Sequence, residues 1–182
     1  YTPTHTLSLH DALPISDNTA IDGKPSRTAL WITHMRAIAA REPHEEILGR
    51  DHLAEIFLDQ AVREGLVDAE SRERQKARSF VIGVYEYVMA RTRIFDGFFE
   101  QAIGQGVEQV VFLGAGYDSR PYRYQQLAKG IELFELDAPP TPEHTRRWRA
   151  KAGIEGPANL TYGPGNFNRD PMSDVLHAAG YD

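Results

Sequence analysis

Gln109-Val110-Val111-Phe112-Leu113-Gly114-Ala115-Gly116-Tyr117-Asp118-Ser119-Arg120 is the stretch from which the fold can be read. Its first five residues form a short apolar run ended by a glycine, which suits a strand buried on both faces of a parallel sheet. Gly114 and Gly116, one residue apart directly after that strand, permit a tight turn and let a ligand come close to the backbone. Downstream the alternation continues. The pattern predicts a helix over 121–129, a second strand over 131–136 ending at Asp137, a helix over 142–151 and a third short strand over 159–162. Strands alternating with helices mean an α/β fold with a parallel sheet. An acid at the tip of the second strand can accept hydrogen bonds from both hydroxyls of a ribose. Glycine turn and Asp137 together predict a nucleoside-containing cofactor at the carboxyl end of the sheet.

Upstream the pattern is helical. Pro25-Ser26 opens a helix with Ser26 as its candidate cap, and Ala29, Leu30, Ile32, Thr33, Ala37 and Ala40 give it a broad apolar side up to Glu42-Pro43. Gly49-Arg50-Asp51 reads as a turn, with Asp51 capping a helix that carries Leu53, Ile56, Phe57 and Ala61 and stops at Gly65. Residues 72–103 predict two helices. One has a stripe of Val81, Val84, Tyr85 and Val88, the other of Phe95, Phe98, Phe99, Ala102 and Ile103, with a bend at the polar Ala90-Arg91-Thr92-Arg93 between them. Residues 17–104 are therefore expected to form a helical cap on the sheet of residues 105–182. Residues 1–16 contain no Lys or Arg and are broken by Pro3 and Pro14; Thr6 to Ile15 reads like a translated sequencing adaptor, the alternative being a disordered tail. At the other end, 171–180 reads as a short helix with Val175, Leu176 and Ala179 on one face and Gly180 as its stop. Tyr181-Asp182 then resembles the lead-in to another strand. A doubly wound sheet does not close its core after three strands, so the chain is expected to be a C-terminally truncated fragment.

Composition narrows the function classes. Lys and Arg total 20 against 26 Asp and Glu, a formal net charge of −6, which opposes nonspecific binding to nucleic acid or to an anionic membrane. No cysteine is present, which excludes disulfides, Cys-ligated zinc, iron–sulfur clusters and a thiol nucleophile. No run approaches the roughly 20 apolar residues of a membrane-spanning helix. The histidines form no short pair suited to one helix face, so no metal is expected. Arg146-Arg147-Trp148-Arg149-Lys151 mixes basic and aromatic residues, but in an acidic chain it reads as a solvated helix with Trp148 tucked into the sheet rather than as an RNA contact.

The cofactor class follows from the turn. A dinucleotide fold wants G-x-G-x-x-G, and here the third glycine position holds Ser119, while Asp118 puts an anion where a pyrophosphate would sit. Both features favour a nucleoside without phosphate, such as S-adenosylmethionine, over NAD. A plain tight turn with a solvated acid stays open on these residues alone.

Several separated motifs in one order now carry a family resemblance. Val110 to Arg120, then Tyr122-Arg123, then Phe134-Glu135-Leu136-Asp137-Ala138-Pro139 resemble the leucine carboxyl methyltransferase family, and more closely its bacterial branch of class I S-adenosylmethionine-dependent O-methyltransferases. Ser26-Arg27-Thr28-Ala29, Arg36-Ala37 and Ala90-Arg91-Thr92-Arg93-Ile94-Phe95-Asp96 resemble the same branch, so that the likeness covers about residues 26–182. The resemblance implies a Rossmann-like class I methyltransferase fold. It implies Arg91 on the methionine carboxylate of S-adenosyl-L-methionine, Gly114 and Gly116 along its methionine and ribose, and Asp137 on the ribose. Asn166-Phe167 stands where the family usually has an acid and an apolar residue for the adenine; an Asn carbonyl still accepts one bond. The family's later strands, with much of the acceptor pocket, have no counterpart before Asp182.

The reaction implied is methyl transfer to the oxygen of a small-molecule hydroxyl or of a carboxylate, in the cytoplasm, with neither nucleic acid nor membrane as partner. No catalytic base is assigned. His144 and His177 are candidates only by residue type, and a solvated helical His is the expectation for both. The alternatives are an NAD(P)-binding Rossmann oxidoreductase domain and an inactive methyltransferase fragment. Oligomeric state is not legible in these residues.

Overall fold

The computed structural model describes residues 26–43, 51–77, 82–167 and 169–182. In chain order these form α1 (Arg27–Ala39), a 3-10 turn (Ala54–Phe57), α2 (Gln60–Glu64), α3 (Ala69–Ala77), α4 (Val84–Gly104), β1 (Gln109–Leu113), α5 (Arg120–Arg123), β2 (Glu132–Asp137), α6 (Pro140–Lys151), β3 (Leu160–Pro164) and α7 (Met172–Ala179). The strands make one sheet in the order β1-β2-β3. Both pairings are parallel, with Val111 opposite Phe134 and Phe134 opposite Thr161, so Leu113, Asp137 and Pro164 finish at one edge of the sheet. This is the expected α/β, Rossmann-like arrangement. The readings that fall on residues 1–16, on Pro25, on Gly49-Arg50 and on Val81 lie outside the described residues.

Local signals explain much of the rest. Ser26 caps α1, its hydroxyl accepting from the Ala29 N–H at 3.2 Å. Gly180 closes α7 in the left-handed region at φ 89°. Leu133 packs with Phe99, Ala128 and Ile131 on one face of the sheet, and Phe134 and Leu136 pack with Val175 on the other. Gly163 lets α7 sit close to β3, because a Cβ there would run into the Leu136 side chain and come 3.4 Å from Ala179. A third cluster, with Met35, Ile38, Leu58, Leu66, Val88 and Met89, is built from α1, α4 and the segment between them, without the sheet. α4 joins it to the sheet by giving Val88 and Met89 to one cluster and Phe99 to another.

Four expectations are corrected. The stretch after Asp51 is not one helix. It is the 3-10 turn, then Leu58 in extended conformation, then α2, and the break lets Phe57 and Leu58 both be buried. The bend expected at Ala90–Arg93 is absent, since α4 runs straight through it. Thr92 satisfies its hydroxyl on the Val88 carbonyl at 2.8 Å, while Arg91 and Arg93 face outward. The interruption falls earlier, before α4, where Gly83 takes φ 82°. The helix expected over 121–129 is only α5: Tyr124 leaves helical conformation and puts its ring against Phe99 at 5.5 Å. β1 is half-buried rather than covered on both faces, with Leu113 53% exposed, because it is an edge strand among the described residues.

Buried charges tie helices to sheet. Asp51 is fully buried against Arg36 at 2.8 Å. Asp96, 1% exposed, takes both terminal nitrogens of Arg123 at 3.0 and 2.8 Å and lies 2.8 Å from Arg120 Nε. Removing one member of such a group strands the others without water or a partner. Asp96→Ala is therefore expected to destabilise the fold by about 3–5 kcal/mol, read as a lower urea midpoint. A midpoint unchanged from wild type would mean that the arginines are satisfied without it.

Glu135, in mid-strand on β2, is buried beneath α5, where Tyr122 Oη donates to its two oxygens at 3.2 Å each. Tyr162 Oη lies 2.8 Å from Tyr122 Oη and accepts in turn from Arg149. Burial, with Asp118 and Asp137 nearby, pushes the Glu135 carboxyl from 4.5 up to about 8. The folded protein thus holds a proton that the unfolded chain releases. This stabilising contribution is complete below about pH 4.5 and is lost as pH rises to about 8. Chemical denaturation at pH 5 and pH 8 should show wild type losing stability between them and Glu135→Gln losing less. Equal losses would contradict the assignment.

Candidate functional site

The site is built on the turn between β1 and α5. Gly114 and Gly116 take φ 59° and 58°, the left-handed region that glycine enters without strain. Ala115 N–H donates to the Leu136 carbonyl at 3.1 Å, which carries the β1–β2 ladder one step past the strand. Gly116 is pressed against α1, where an added Cβ would lie 3.3 Å from that of Ala29. Asp137, at the tip of β2, reaches back under the turn, its Oδ2 accepting from Gly116 N–H at 2.6 Å and its Oδ1 from Ala138 N–H at 2.7 Å. Burial raises its pKa, and the two backbone bonds work against that rise. Each oxygen keeps a further lone pair for a ligand hydroxyl.

Above this turn lies a cleft of about 710 Å³ between α1, α4 and β1. Arg91, Phe95, Gly114, Gly116, Asp118 and Arg120 are among its lining residues. The structure therefore brings Arg91 together with both glycines, while Asp137 stands behind the turn, bonded to it. Asn166 and Phe167 are not part of this lining. They follow β3, on the far side of β2 from the turn, where Gly165 N–H donates to the Asp137 carbonyl at 3.0 Å and Asn166 N–H to Asp170 at 2.7 Å.

Arg91 projects from the exposed side of α4, its guanidinium carbon 5.5 Å from the centre of the Phe95 ring. No carboxylate among the described residues pairs with it. Arg120, by contrast, is bound by Asp118 at 2.5 Å as well as by Asp96. The Asp118 charge is thus offset, which weakens its use as an argument against phosphate. The structure supplies a better one. α5 is four residues long, and so short a helix offers little dipole to a pyrophosphate. Ser119, at the third-glycine position, is buried and accepts from Arg123 Nε at 2.8 Å.

His144 is not the solvated helical residue expected. The Trp148 indole can only donate, and it donates to His144 Nε2 at 2.9 Å. The ring proton is therefore on Nδ1, which donates to Tyr117 Oη at 2.8 Å. Burial and the Arg147 charge push the His144 pKa down, in keeping with a neutral ring. With both nitrogens engaged, it has no free lone pair to act as a base. Trp148 is correspondingly not tucked into the sheet; it packs on His144, with the cations of Lys151 and Arg63 at 4.8 and 5.9 Å from its ring. His177 is exposed on α7. Among the described residues no cluster of three His, Asp or Glu is placed to hold a metal ion.

Sequence reasoning missed the residues that hold the turn. Arg36 crosses from α1 and donates to the Tyr117 carbonyl at 2.7 Å and to Thr33 Oγ1 at 3.0 Å, while bound to Asp51. Its place in a predicted apolar helix was the available signal, since an arginine there needs a buried partner.

Residues 29–182 match the model of the leucine carboxyl methyltransferase family. A Mycolicibacterium smegmatis protein provisionally named S-adenosyl-L-methionine-dependent methyltransferase is 35% identical over 158 residues, covering 86% of this chain and 52% of its own. A protein of Mycobacterium sp. strain KMS under the same provisional name is 36% identical over 172 residues, covering 92% of this chain and 56% of its own. A third, from Mycobacteroides abscessus, is 36% identical over 157 residues, with 85% and 49% covered. The chain spans about half the length of the curated relatives it matches.

Proposed function

As this chain belongs to the leucine carboxyl methyltransferase family, we propose that it forms the S-adenosyl-L-methionine-binding part of a methyltransferase acting on the oxygen of a small-molecule hydroxyl or a carboxylate. The observation that carries this reading is the pairing of Arg91, a guanidinium with no carboxylate partner among the described residues, with a glycine turn in which the Gly116 N–H is bonded to Asp137. The groups fit the cofactor. A guanidinium takes a carboxylate through two parallel bonds, so Arg91 is assigned the methionine tail. Gly114 and Gly116 leave the backbone bare where the ligand passes, and Asp137 is assigned the ribose. Asn166-Phe167, beside Asp137 through the Gly165 bond, is assigned the adenine side. The cleft volume lies in the range usual for small ligands, about 300–1,000 Å³.

When bound, the cofactor supplies an electrophilic methyl group on a sulfonium. The residues of this chain hold its two ends and so set its direction; alignment and proximity are their contribution to rate. A carboxylate acceptor needs no base. A hydroxyl acceptor needs one, and His144 is not available for it. No helix among the described residues is long and apolar enough to cross a membrane, and we place the activity in the cytoplasm, where the cofactor is supplied, without a nucleic-acid partner.

Titration calorimetry with S-adenosylhomocysteine and with NADH tests the reading. Binding of the first and not the second is expected. Arg91→Ala and Asp137→Ala should each weaken it about tenfold or more, since a hydrogen bond to a charged group contributes about 1.5–3 kcal/mol. Heat with NADH alone would point to an oxidoreductase domain and end the proposal; no heat with either would point to a fragment that has lost the ligand.

A further inference from the structure

We propose that Phe95 is a positioning residue that holds the Arg91 guanidinium at the mouth of the cleft and leaves its N–H edge open for the carboxylate of the ligand. The inference rests on the reading of Arg91 given above. Arg91 and Phe95 are one turn apart on α4, so their side chains share a face. The guanidinium carbon lies 5.5 Å from the ring centre, within the distance at which a cation is drawn to an aromatic face. Phe95 is in turn held edge-on by Phe98, with ring centres 6.3 Å apart at 85°.

Contrast with Arg120 makes the role specific. Its guanidinium carbon is 5.7 Å from the same ring, yet Asp118 accepts from its Nη1 and Asp96 lies 2.8 Å from its Nε, so carboxylates already crowd its N–H edge. A carboxylate beside Arg91 would consume its N–H groups in the same way. A ring holds the flat face of the guanidinium and consumes none of them. Phe95 is also 47% exposed, although it lines the cleft. A phenylalanine serving the core would be buried; a half-exposed one next to an arginine that has no carboxylate partner among the described residues is where the ring is useful to the arginine.

The test is calorimetry on the whole chain with two ligands, S-adenosylhomocysteine and 5′-methylthioadenosine, the second of which lacks the amino-acid tail. Phe95→Leu should weaken the first about two- to fivefold, the range of an exposed cation–ring contact, and leave the second unchanged. Phe95→Tyr, which keeps the ring, should restore wild-type affinity. Adding Phe95→Leu to Arg91→Ala should produce no further loss, because the two act through one contact. Equal weakening of both ligands would mean a structural role and overturn the inference, as would unchanged affinity for the first. If wild type binds neither ligand, it is the cofactor reading that fails. If wild type binds both and Arg91→Ala changes neither, the assignment of Arg91 fails before Phe95 is reached.

Discussion

A turn made of Gly-Ala-Gly has almost no side chain with which to hold its own shape, so other elements must hold it. That constraint organises this protein. Arg36 reaches from α1 to the Tyr117 carbonyl, Arg123 from α5 to Ser119, and Asp137 from β2 to the Gly116 N–H. Behind them stand Asp51 and Asp96, two buried carboxylates that fix the arginines. Groups of this kind are weak as sources of net stability, because desolvation offsets attraction, but they penalise any arrangement that breaks them. Their effect is to select one geometry for the turn.

The same charges set the height of α4 over the sheet. Arg91 and Asp96 belong to one helix, a little over one turn apart. Asp96 is anchored to α5 beneath the turn, so the helix cannot slide without breaking that anchor, and Arg91 is carried at a fixed distance from the glycines. The sheet alone would offer a cradle, and the helix alone a cation. The buried carboxylate makes them one site.

What was legible in the sequence is what neighbours in the chain decide. The apolar run Gln109–Leu113, the acid closing β2, the Ser26 cap and the Gly180 stop are each set within a few residues, and each is found where expected. Partners far apart in the chain were not legible. Nothing near Asp51 says that Arg36 will bury it; the residue looks like an ordinary cap, and it does accept from Leu53 N–H as well. The polar Arg91-Thr92-Arg93 looks like a bend because the other side of a helix is invisible in a line of letters. His144 looked solvated because Tyr117 lies 27 residues away. For the candidate site, spacing pointed to the glycines and Asp137 and family resemblance to Arg91; the structure brings Arg91 and the glycines to one cleft, with Asp137 bonded to the turn. Of their support, only Arg36 left a signal, as an arginine in an apolar helix, and its partners were not legible.

β1 is the outermost strand of the described sheet, and Leu113 at its end and Phe98 on α4, which line the same cleft, are both more than half exposed. Main-chain groups along such a border are an open template, and greasy neighbours make it stickier. Molecules of this chain brought to high concentration would have a seam along which to zip together, so dilute handling and a few added lysines beside that seam are the natural first measures for anyone preparing it.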